Sequence, residues 1–158
     1  MTTIVPLTSA HPAFDQVAAL FDEYRVHHGR LPAPEDTRSW LHDQLAQRRL
    51  TAAAAVQGEH VHGFVTVAIL PASLMLGTVW SIRDLYVAPP HRRGGVANAL
   101  LRYVISDARA ARAQRVSLQT DTGNVPALTL YAKAGFQRVT GLEILNLRLD
   151  PARPDPAA

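Results

Sequence analysis

The sequence has 158 residues, the length of one domain, and 47% of them are hydrophobic, which is enough to build a core. It contains no cysteine, which excludes disulfides, thiolate metal sites and a cysteine nucleophile. The net charge of +3 is a small excess that disfavours a nucleic-acid-binding protein, and no segment has the pattern of a signal peptide or a membrane span. We expect one soluble, cytoplasmic domain without a metal centre.

The first half of the chain carries strand, helix and hairpin patterns in turn. Residues 3–8 alternate weakly between apolar and polar and predict a first strand. Apolar residues at helical spacing then predict a helix that ends near Gly29, and a second helix carries an apolar stripe that includes Trp40. Two short apolar runs, residues 50–57 and 61–70, are separated by a turn and predict a hairpin.

The second half begins with a long strand pattern. Residues 76–87 predict this strand, which stops at Pro89 because proline cannot donate to a strand ladder. A helix with one apolar face is predicted over residues 96–108, a strand over 115–120 and a short helix over 126–134.

The end of the chain predicts two more strands and a tail. Residues 136–139 and 142–149 have strand patterns, and the Pro-rich residues 150–158 are expected to form a disordered tail after a single domain of residues 1–149. The order of strands and helices predicts an α/β fold in which helices cover a mostly antiparallel sheet.

The turn between residues 87 and 96 has the composition of an anion site. It carries Arg92, Arg93, Gly94 and Gly95 directly before the predicted helix. The first N–H groups of a helix lack internal partners, glycine allows close approach, and arginine adds charge, so a pyrophosphate is a suitable ligand. The alternative is a tight turn that needs glycine for its own backbone angles. The spacings of the dinucleotide fingerprint and the P-loop are both absent.

Two segments in the right order resemble the GNAT superfamily of N-acetyltransferases. Residues 92–97 read Arg-Arg-Gly-Gly-Val-Ala and fit R-x-x-G-x-A, the family's cofactor motif, between a strand and a helix. Residues 124–136 fit the later family segment N-x-x-A-x-x-x-Y-x-K-x-G-F. The resemblance implies a mixed, mostly antiparallel sheet of six or seven strands, splayed between strands 4 and 5 and flanked by about four helices.

The resemblance also implies acetyl-CoA as co-substrate and assigns its contacts. The turn would hold the pyrophosphate of CoA, and the main chain of the preceding strand would hold the pantetheine arm in the gap between the splayed strands. The cofactor-binding residues expected in this way are Leu85, Val87, Arg92, Arg93, Gly94, Gly95, Val96, Ala97, Asn98, Asn124 and Tyr131.

Two side chains are candidates for proton transfer. Expelling a thiolate calls for an O–H donor, and the resemblance implies that Tyr131 supplies it; the alternative is a core aromatic residue. A charged amine must also lose a proton, and Asp84 is the only carboxylate on the fourth strand. Asp84 could be the base, act through water, anchor a cationic substrate or pair with an arginine such as Arg83. Asn124 could also cap its helix, and Gly135 is expected to end that helix in the left-handed conformation.

In the family, the region that ends the first helix lines the acceptor pocket, so Tyr24, Arg25 and His28 are expected to bind substrate together with Asp84. Arg25 would select a carboxylate on the acceptor, whereas the nearby acidic residues would favour a polyamine. His27 is a further candidate by position, and Trp40 and Trp80 are expected to be packing residues and not substrate platforms.

The resulting hypothesis is an N-acetyltransferase of a small-molecule primary amine, such as a polyamine or an amino acid, with direct attack in a ternary complex. A non-catalytic acyl-CoA sensor and an acetyltransferase of a protein or tRNA amine are alternatives. No nucleic-acid or membrane partner is expected, and the resemblance allows a homodimer.

Overall fold

The computed structural model describes residues 1–152 of the protein. These residues form five strands and four α-helices: β1 (Thr3–Leu7), α1 (Phe14–His27), α2 (Pro34–Ala46), β2 (Thr51–Gln57), β3 (His60–Ala72), β4 (Gly77–Val87), α3 (Val96–Ala110), β5 (Arg115–Leu118) and α4 (Val125–Lys133). Among the described residues, no helix combines the length and apolarity that a bilayer crossing needs.

The five strands form one sheet in the order β1-β2-β3-β4-β5. The first four strands run antiparallel to their neighbours, and β5 runs parallel to β4. The predicted β2–β3 hairpin is confirmed, and so is the prediction of a mixed, mostly antiparallel sheet. Strands β1 and β5 are the two edges of the sheet. Strand β5 is short and pairs only with residues 79–82 of β4, so the rest of β4 has no neighbour on that side.

The sheet opens at a β-bulge in β4. Thr66 of β3 pairs with Asp84, but the next residue, Val67, pairs with Ile82, so Arg83 has no partner on β3. The pairing between β4 and β5 also stops at Ile82, although β4 continues to Val87. A bulge bends its strand and increases the local twist, and β5 itself ends at Leu118, opposite Ile82. The splay between strands 4 and 5 stays a prediction, which the early end of this pairing fits.

The two faces of the sheet carry separate cores. Helices α1 and α2 cover one face, where Phe21 and Leu41 pack with Phe64 of β3. Helix α3 covers the other face, where Leu100 and Leu101 pack with residues of β2, β3 and β4. Each helix was predicted from apolar residues at helical spacing, and burial of that face against the sheet is the physical reason for the spacing.

The bulge changes which residues of β4 face each core. Before the bulge Ile82 packs under α3, and after it Leu85 and Val87 do so. Tyr86 instead packs on the α1 face. Side chains alternate along a strand, so one extra residue moves every later side chain to the opposite face. Without the bulge, Asp84 would lie on the same face as Ile82, under α3.

The last two predicted strands are wrong. Residues 136–139 and 142–149 adopt no regular structure, so the described sheet has five strands rather than six or seven. Within residues 1–152, nothing hydrogen-bonds to residues 137–149, and Leu145 is 89% exposed. Alternating apolar residues indicate a tendency to form a strand, but a strand also needs a hydrogen-bonded neighbour. The predicted tail extends beyond the described residues, which end at residue 152.

Candidate active site

Unpaired main-chain donors gather in the turn between β4 and α3. Gly95 precedes the helix with φ of 84°, in the left-handed region, and α3 begins at Val96. Within the described part of the chain, no group accepts a hydrogen bond from the N–H groups of residues 93–98. A Cβ atom built on Gly95 would meet nothing within 4 Å. The turn therefore offers open space and unpaired donors at a helix N-terminus, which suits an anion.

The two arginines of this turn are placed differently. Arg92 Nε donates to the Val87 carbonyl at 3.0 Å, and the guanidinium carbon lies 5.3 Å from the centre of the Tyr86 ring. Arg92 is thus held against the end of β4, and it occupies a carbonyl that was expected to bind the cofactor. Arg93 is exposed and has φ of 63°, in the left-handed region.

The open edge of β4 continues from the bulge to this turn. The Ala88 N–H donates to the His62 carbonyl of β3 at 2.9 Å. Because hydrogen-bonded pairs alternate along an antiparallel ladder, the main-chain groups of Leu85 and Val87 must point away from β3, toward the gap that β5 leaves. The Leu85 main chain and the Val87 N–H therefore face that gap. This arrangement fits a ligand that joins a diphosphate to an extended, amide-bearing arm.

A cleft of about 500 Å³ opens between α1, α2 and β4. Its lining residues are Phe21, Tyr24, Arg25, His28, Arg30, Ala33, Asp36, Thr37, Trp40 and Asp84. All four residues predicted to bind substrate are among them: Tyr24, Arg25, His28 and Asp84. The structure thus brings together side chains that are about sixty positions apart in the sequence.

Asp84 is bound by a neighbouring strand and not by an arginine. The buried Thr66 hydroxyl donates a hydrogen bond to Asp84 Oδ2. Within residues 1–152, Asp84 forms no ion pair with Arg83 or any other arginine. On the cleft side, Tyr24 lies next to the same carboxylate: burial raises the pKa of Tyr24, and the charge of Asp84 raises it further. Asp84 is therefore a partly exposed carboxylate within reach of a ligand in the cleft.

Arg25 is already engaged by a buried carboxylate. Its Nη1 donates to Asp22 Oδ1 at 2.8 Å, to the Thr37 hydroxyl at 3.3 Å and to the Leu31 carbonyl at 3.2 Å. Asp22 also accepts from the Thr37 hydroxyl at 2.6 Å and from the Ala33 N–H at 3.2 Å. The Thr37 bond, with those from Ala33 and Arg25, lowers the pKa of Asp22 despite its burial. Arg25 thus ties α1 to α2 and is less available to select a carboxylate on a substrate.

Aromatic rings form much of the cleft wall. The Tyr24 ring lies 4.7 Å from His28 and 5.6 Å from Phe21, measured between centroids. Trp40 was expected to be a packing residue, and its ring does lie 5.8 Å from Phe21, but it is also 48% exposed and lines the cleft. His27 does not line the cleft. Trp40 and Asp36 were not predicted as site residues, although their four-residue spacing on α2 would place both on one helix face.

Helix α4 carries the remaining candidates. Tyr131 is half-buried with its ring 5.8 Å from Phe136, and burial raises its pKa, so its hydroxyl stays protonated near neutral pH. Tyr131 does not line the cleft, and it packs against the core on the α3 face of the sheet. Asn124 caps the helix by accepting from the Ala127 N–H at 3.3 Å, and Gly135 has φ of 98°, as predicted.

The family of the chain follows from comparison with known proteins. The model of the Acetyltransferase (GNAT) family matches residues 14–136, which contain the turn, the cleft and Tyr131. The chain belongs to the GNAT family. This GNAT protein is an acetyltransferase, and the enzymes of its fold use acetyl-CoA. The described residues contain no group of three or more histidine or acidic side chains that could hold a metal ion.

Two relatives are similar in sequence. The streptothricin acetyltransferase of Escherichia coli is 33% identical over 86 residues, which are 52% of this chain. The match covers 49% of that enzyme, so the chain spans about half the length of this relative. The uncharacterized N-acetyltransferase YhfO of Bacillus subtilis (strain 168) is 25% identical over 125 residues, covering 79% of this chain and 84% of YhfO.

Solved structures share the fold. A probable acetyltransferase superposes with a TM-score of 0.87 at 30% identity and covers 94% of this chain and 98% of its own. A predicted acetyltransferase from Clostridium acetobutylicum, solved with acetyl-CoA, has a TM-score of 0.72 at 18% identity over 92% of this chain and 96% of its own. The aminoglycoside acetyltransferase meta-AAC0020, from an uncultured soil metagenomic sample, has a TM-score of 0.80 at 19% identity over 94% and 97%. The last two likenesses show the fold alone.

Proposed function

We propose that this GNAT enzyme transfers acetyl from acetyl-CoA to a primary amine of a small cationic molecule, by direct attack in a ternary complex. The observation that carries the proposal is the placement of two half-sites along one strand. Unpaired donors of residues 93–98 and the open edge of β4 offer a place for a diphosphate and its arm. The cleft that contains Asp84 opens beside the same stretch of β4.

The donor side binds mainly through the protein backbone. In this proposal, the N–H groups of residues 93–98 hold the pyrophosphate, and the exposed Arg93 adds positive charge. The Leu85 main chain and the Val87 N–H pair with the pantetheine arm where β5 is absent. Arg92 stabilises the turn, because its Nε donates a hydrogen bond to the Val87 carbonyl at the end of β4. Asn124 keeps its amide N–H groups for the cofactor, since its Oδ1 is the atom that caps α4.

The acceptor side favours a cation. Asp84 and Asp36 line the cleft together with the exposed Trp40 and other aromatic rings, a combination that attracts ammonium groups. The charge of Arg25 is offset by Asp22, which leaves Arg30 as the opposing cation. A cleft of about 500 Å³ suits a small molecule. The names of a streptothricin acetyltransferase among the relatives and of aminoglycoside acetyltransferases among the structural neighbours support this acceptor class.

The chemistry needs two protons removed from the acceptor nitrogen and one supplied to the thiolate. The acceptor arrives as an ammonium ion, and Asp84 takes its proton directly or through a water molecule, which leaves a nucleophilic amine. The amine forms a bond to the thioester carbon, the C–S bond breaks, and Tyr131 donates its proton to the departing thiolate. The nitrogen then loses its second proton, which passes to the Tyr131 oxygen directly or through water. The raised pKa of Tyr131 keeps that proton in place until it is needed. The chain has no cysteine, so no thioester forms on the protein itself.

The test is a thiol-release assay with acetyl-CoA and a panel of aminoglycosides, polyamines, amino acids and a lysine peptide. We expect CoA release with at least one small cationic amine, and an acetylated product whose mass increases by one acetyl group. Acetyl-CoA binding without release from any acceptor would favour the sensor. Release with the peptide alone would favour a protein acetyltransferase.

A further inference from the structure

Thr66 is a buried polar residue, and among the described residues its hydroxyl donates one hydrogen bond, to Asp84. It is fully buried in β3, between the apolar residues Val65 and Val67. A buried hydroxyl is costly unless it is hydrogen-bonded, and valine would fill the same volume without that cost. The hydrogen bond that the structure gives this hydroxyl goes to Asp84 Oδ2. The hydrogen bond to the Asp84 carboxylate therefore explains why this buried position carries threonine and not valine.

The bulge in β4 makes this contact possible. It leaves Arg83 unpaired and brings Asp84 directly opposite Thr66 in the ladder, on the face that α1 covers. Directly opposed residues of an antiparallel pair have side chains close enough to bond. One oxygen of the carboxylate, Oδ2, is held from the buried side, and the same side chain lines the cleft next to Tyr24.

We propose that Thr66 is a positioning residue for Asp84. Its hydroxyl holds Oδ2, so that the carboxylate keeps one orientation and presents its other oxygen to the amine of the acceptor. Thr66 itself is fully buried and does not touch the acceptor. This inference rests on the proposed function, because it assumes that Asp84 takes the proton of the amine. A misdirected base loses much of its effect, since proton transfer requires hydrogen-bond reach.

The test compares Thr66→Val, which keeps the shape and loses the hydroxyl, with Thr66→Ser, which keeps the hydroxyl. We expect Thr66→Val to lower kcat about tenfold while the KM for acetyl-CoA is unchanged, and Thr66→Ser to restore most of kcat. Concentrations of active enzyme are set by titration with acetyl-CoA, so a partly unfolded sample does not count as lost turnover. Full activity of Thr66→Val would overturn the inference, as would failure of Thr66→Ser to restore it.

A double-mutant cycle with Asp84→Asn separates positioning from general damage to the core. If Thr66 acts through Asp84, adding Thr66→Val to Asp84→Asn causes no further loss of kcat. Multiplicative losses in the double variant would overturn the inference, because the threonine would then act elsewhere.

A structural readout does not depend on turnover. Side-chain scalar couplings of Asp84 measured by NMR should report one rotamer in the wild-type chain and averaging in Thr66→Val. A single rotamer in both would overturn the positioning role. Averaging in Thr66→Val together with full turnover of Asp84→Asn would reject Asp84 as the base, while the contact that orients it would stand. CoA release by the wild-type chain tests the acetyl transfer separately.

Discussion

The two half-sites that we propose for this enzyme differ in what they are made of. The turn before α3 offers N–H groups of consecutive residues, 93–98, and its glycines matter because they carry no side chain. The cleft on the other side of β4 is built from side chains of α1, α2 and β4, and Thr66 of β3 supports it from below. The first half-site is local in sequence, and the second is assembled from four separate elements.

The difference explains which half-site a sequence can reveal. Backbone recognition requires a left-handed glycine and a helix start at fixed spacing, and such a pattern can be recognised in a short segment. Side-chain recognition depends on how helices cross a sheet and on the phase of each strand, which no short segment contains. Substitutions should therefore affect the two half-sites separately, acetyl-CoA binding on one side and the acceptor on the other.

The largest effect is expected at the turn. Gly95→Asp places a negative charge at the unpaired donors that are proposed to hold the pyrophosphate, and like charges in contact cost several kcal/mol. We expect acetyl-CoA affinity to fall on the order of 100-fold, measured by isothermal titration calorimetry. Gly58→Asp is the matched control, since Gly58 has φ of 61° and open space in the β2–β3 hairpin. Equal loss of affinity in both variants would show that backbone strain, not the anion site, is responsible.

Tyr131→Phe is expected to have the next largest effect. Removing the hydroxyl removes the proposed proton donor for the thiolate, so kcat should fall about 10- to 100-fold while acetyl-CoA affinity changes little. Tyr103→Phe on α3 is the control, because Tyr103 lines a different, smaller cavity next to Asp107. Steady-state kinetics with saturating acetyl-CoA measure both, and wild-type kcat in Tyr131→Phe would reject Tyr131 as the acid.

Trp40→Leu should affect the acceptor alone. The exposed indole can stack against a cationic group, and its loss should raise the KM for the acceptor about fivefold without changing the KM for acetyl-CoA. Trp80→Phe, on the other face of the sheet, is the matched control. If Trp40→Leu raised both KM values equally, the two half-sites would not be separate.

The smallest effect on turnover, with an effect on stability, is expected at Asp22. Asp22→Asn weakens the charged bonds to Arg25 and Thr37 and should lower the free energy of unfolding by about 1–3 kcal/mol at pH 7. The pKa of Asp22 is lower in the folded state than in the unfolded chain, so this stabilisation is complete above the unfolded value and is lost as pH falls through the folded one.

Urea unfolding at pH 7 and near pH 3 measures this dependence. The difference in free energy of unfolding between the wild-type protein and Asp22→Asn should be smaller at the lower pH. Glu23 is an exposed neighbour on α1, and Glu23→Gln should have the same free energy of unfolding as the wild-type protein at both pH values. If the difference in free energy of unfolding between the wild-type protein and Asp22→Asn did not change with pH, the ionised carboxylate of Asp22 would not be the stabilising group.

Much of the fold was predictable because its elements follow local rules. The helices, the β2–β3 hairpin and the Asn124 cap all follow from periodicity, turn residues and capping chemistry. Residues 136–139 and 142–149 also carry strand patterns, yet they form no strand. Whether a segment becomes a strand depends on a hydrogen-bonded neighbour, and the sequence pattern does not describe the neighbour.

The amino-acid sequence by itself determined the family and the backbone half-site, because residues 92–97 and 124–136 carry their geometry within a few consecutive positions. Only the tertiary structure decided the acceptor side. One unpaired residue, Arg83, shifts the phase of β4 and turns Asp84 from the α3 face to the cleft, where Thr66 holds it. A bulge is set by how two strands pair across the sheet, so neither strand's sequence specifies it alone.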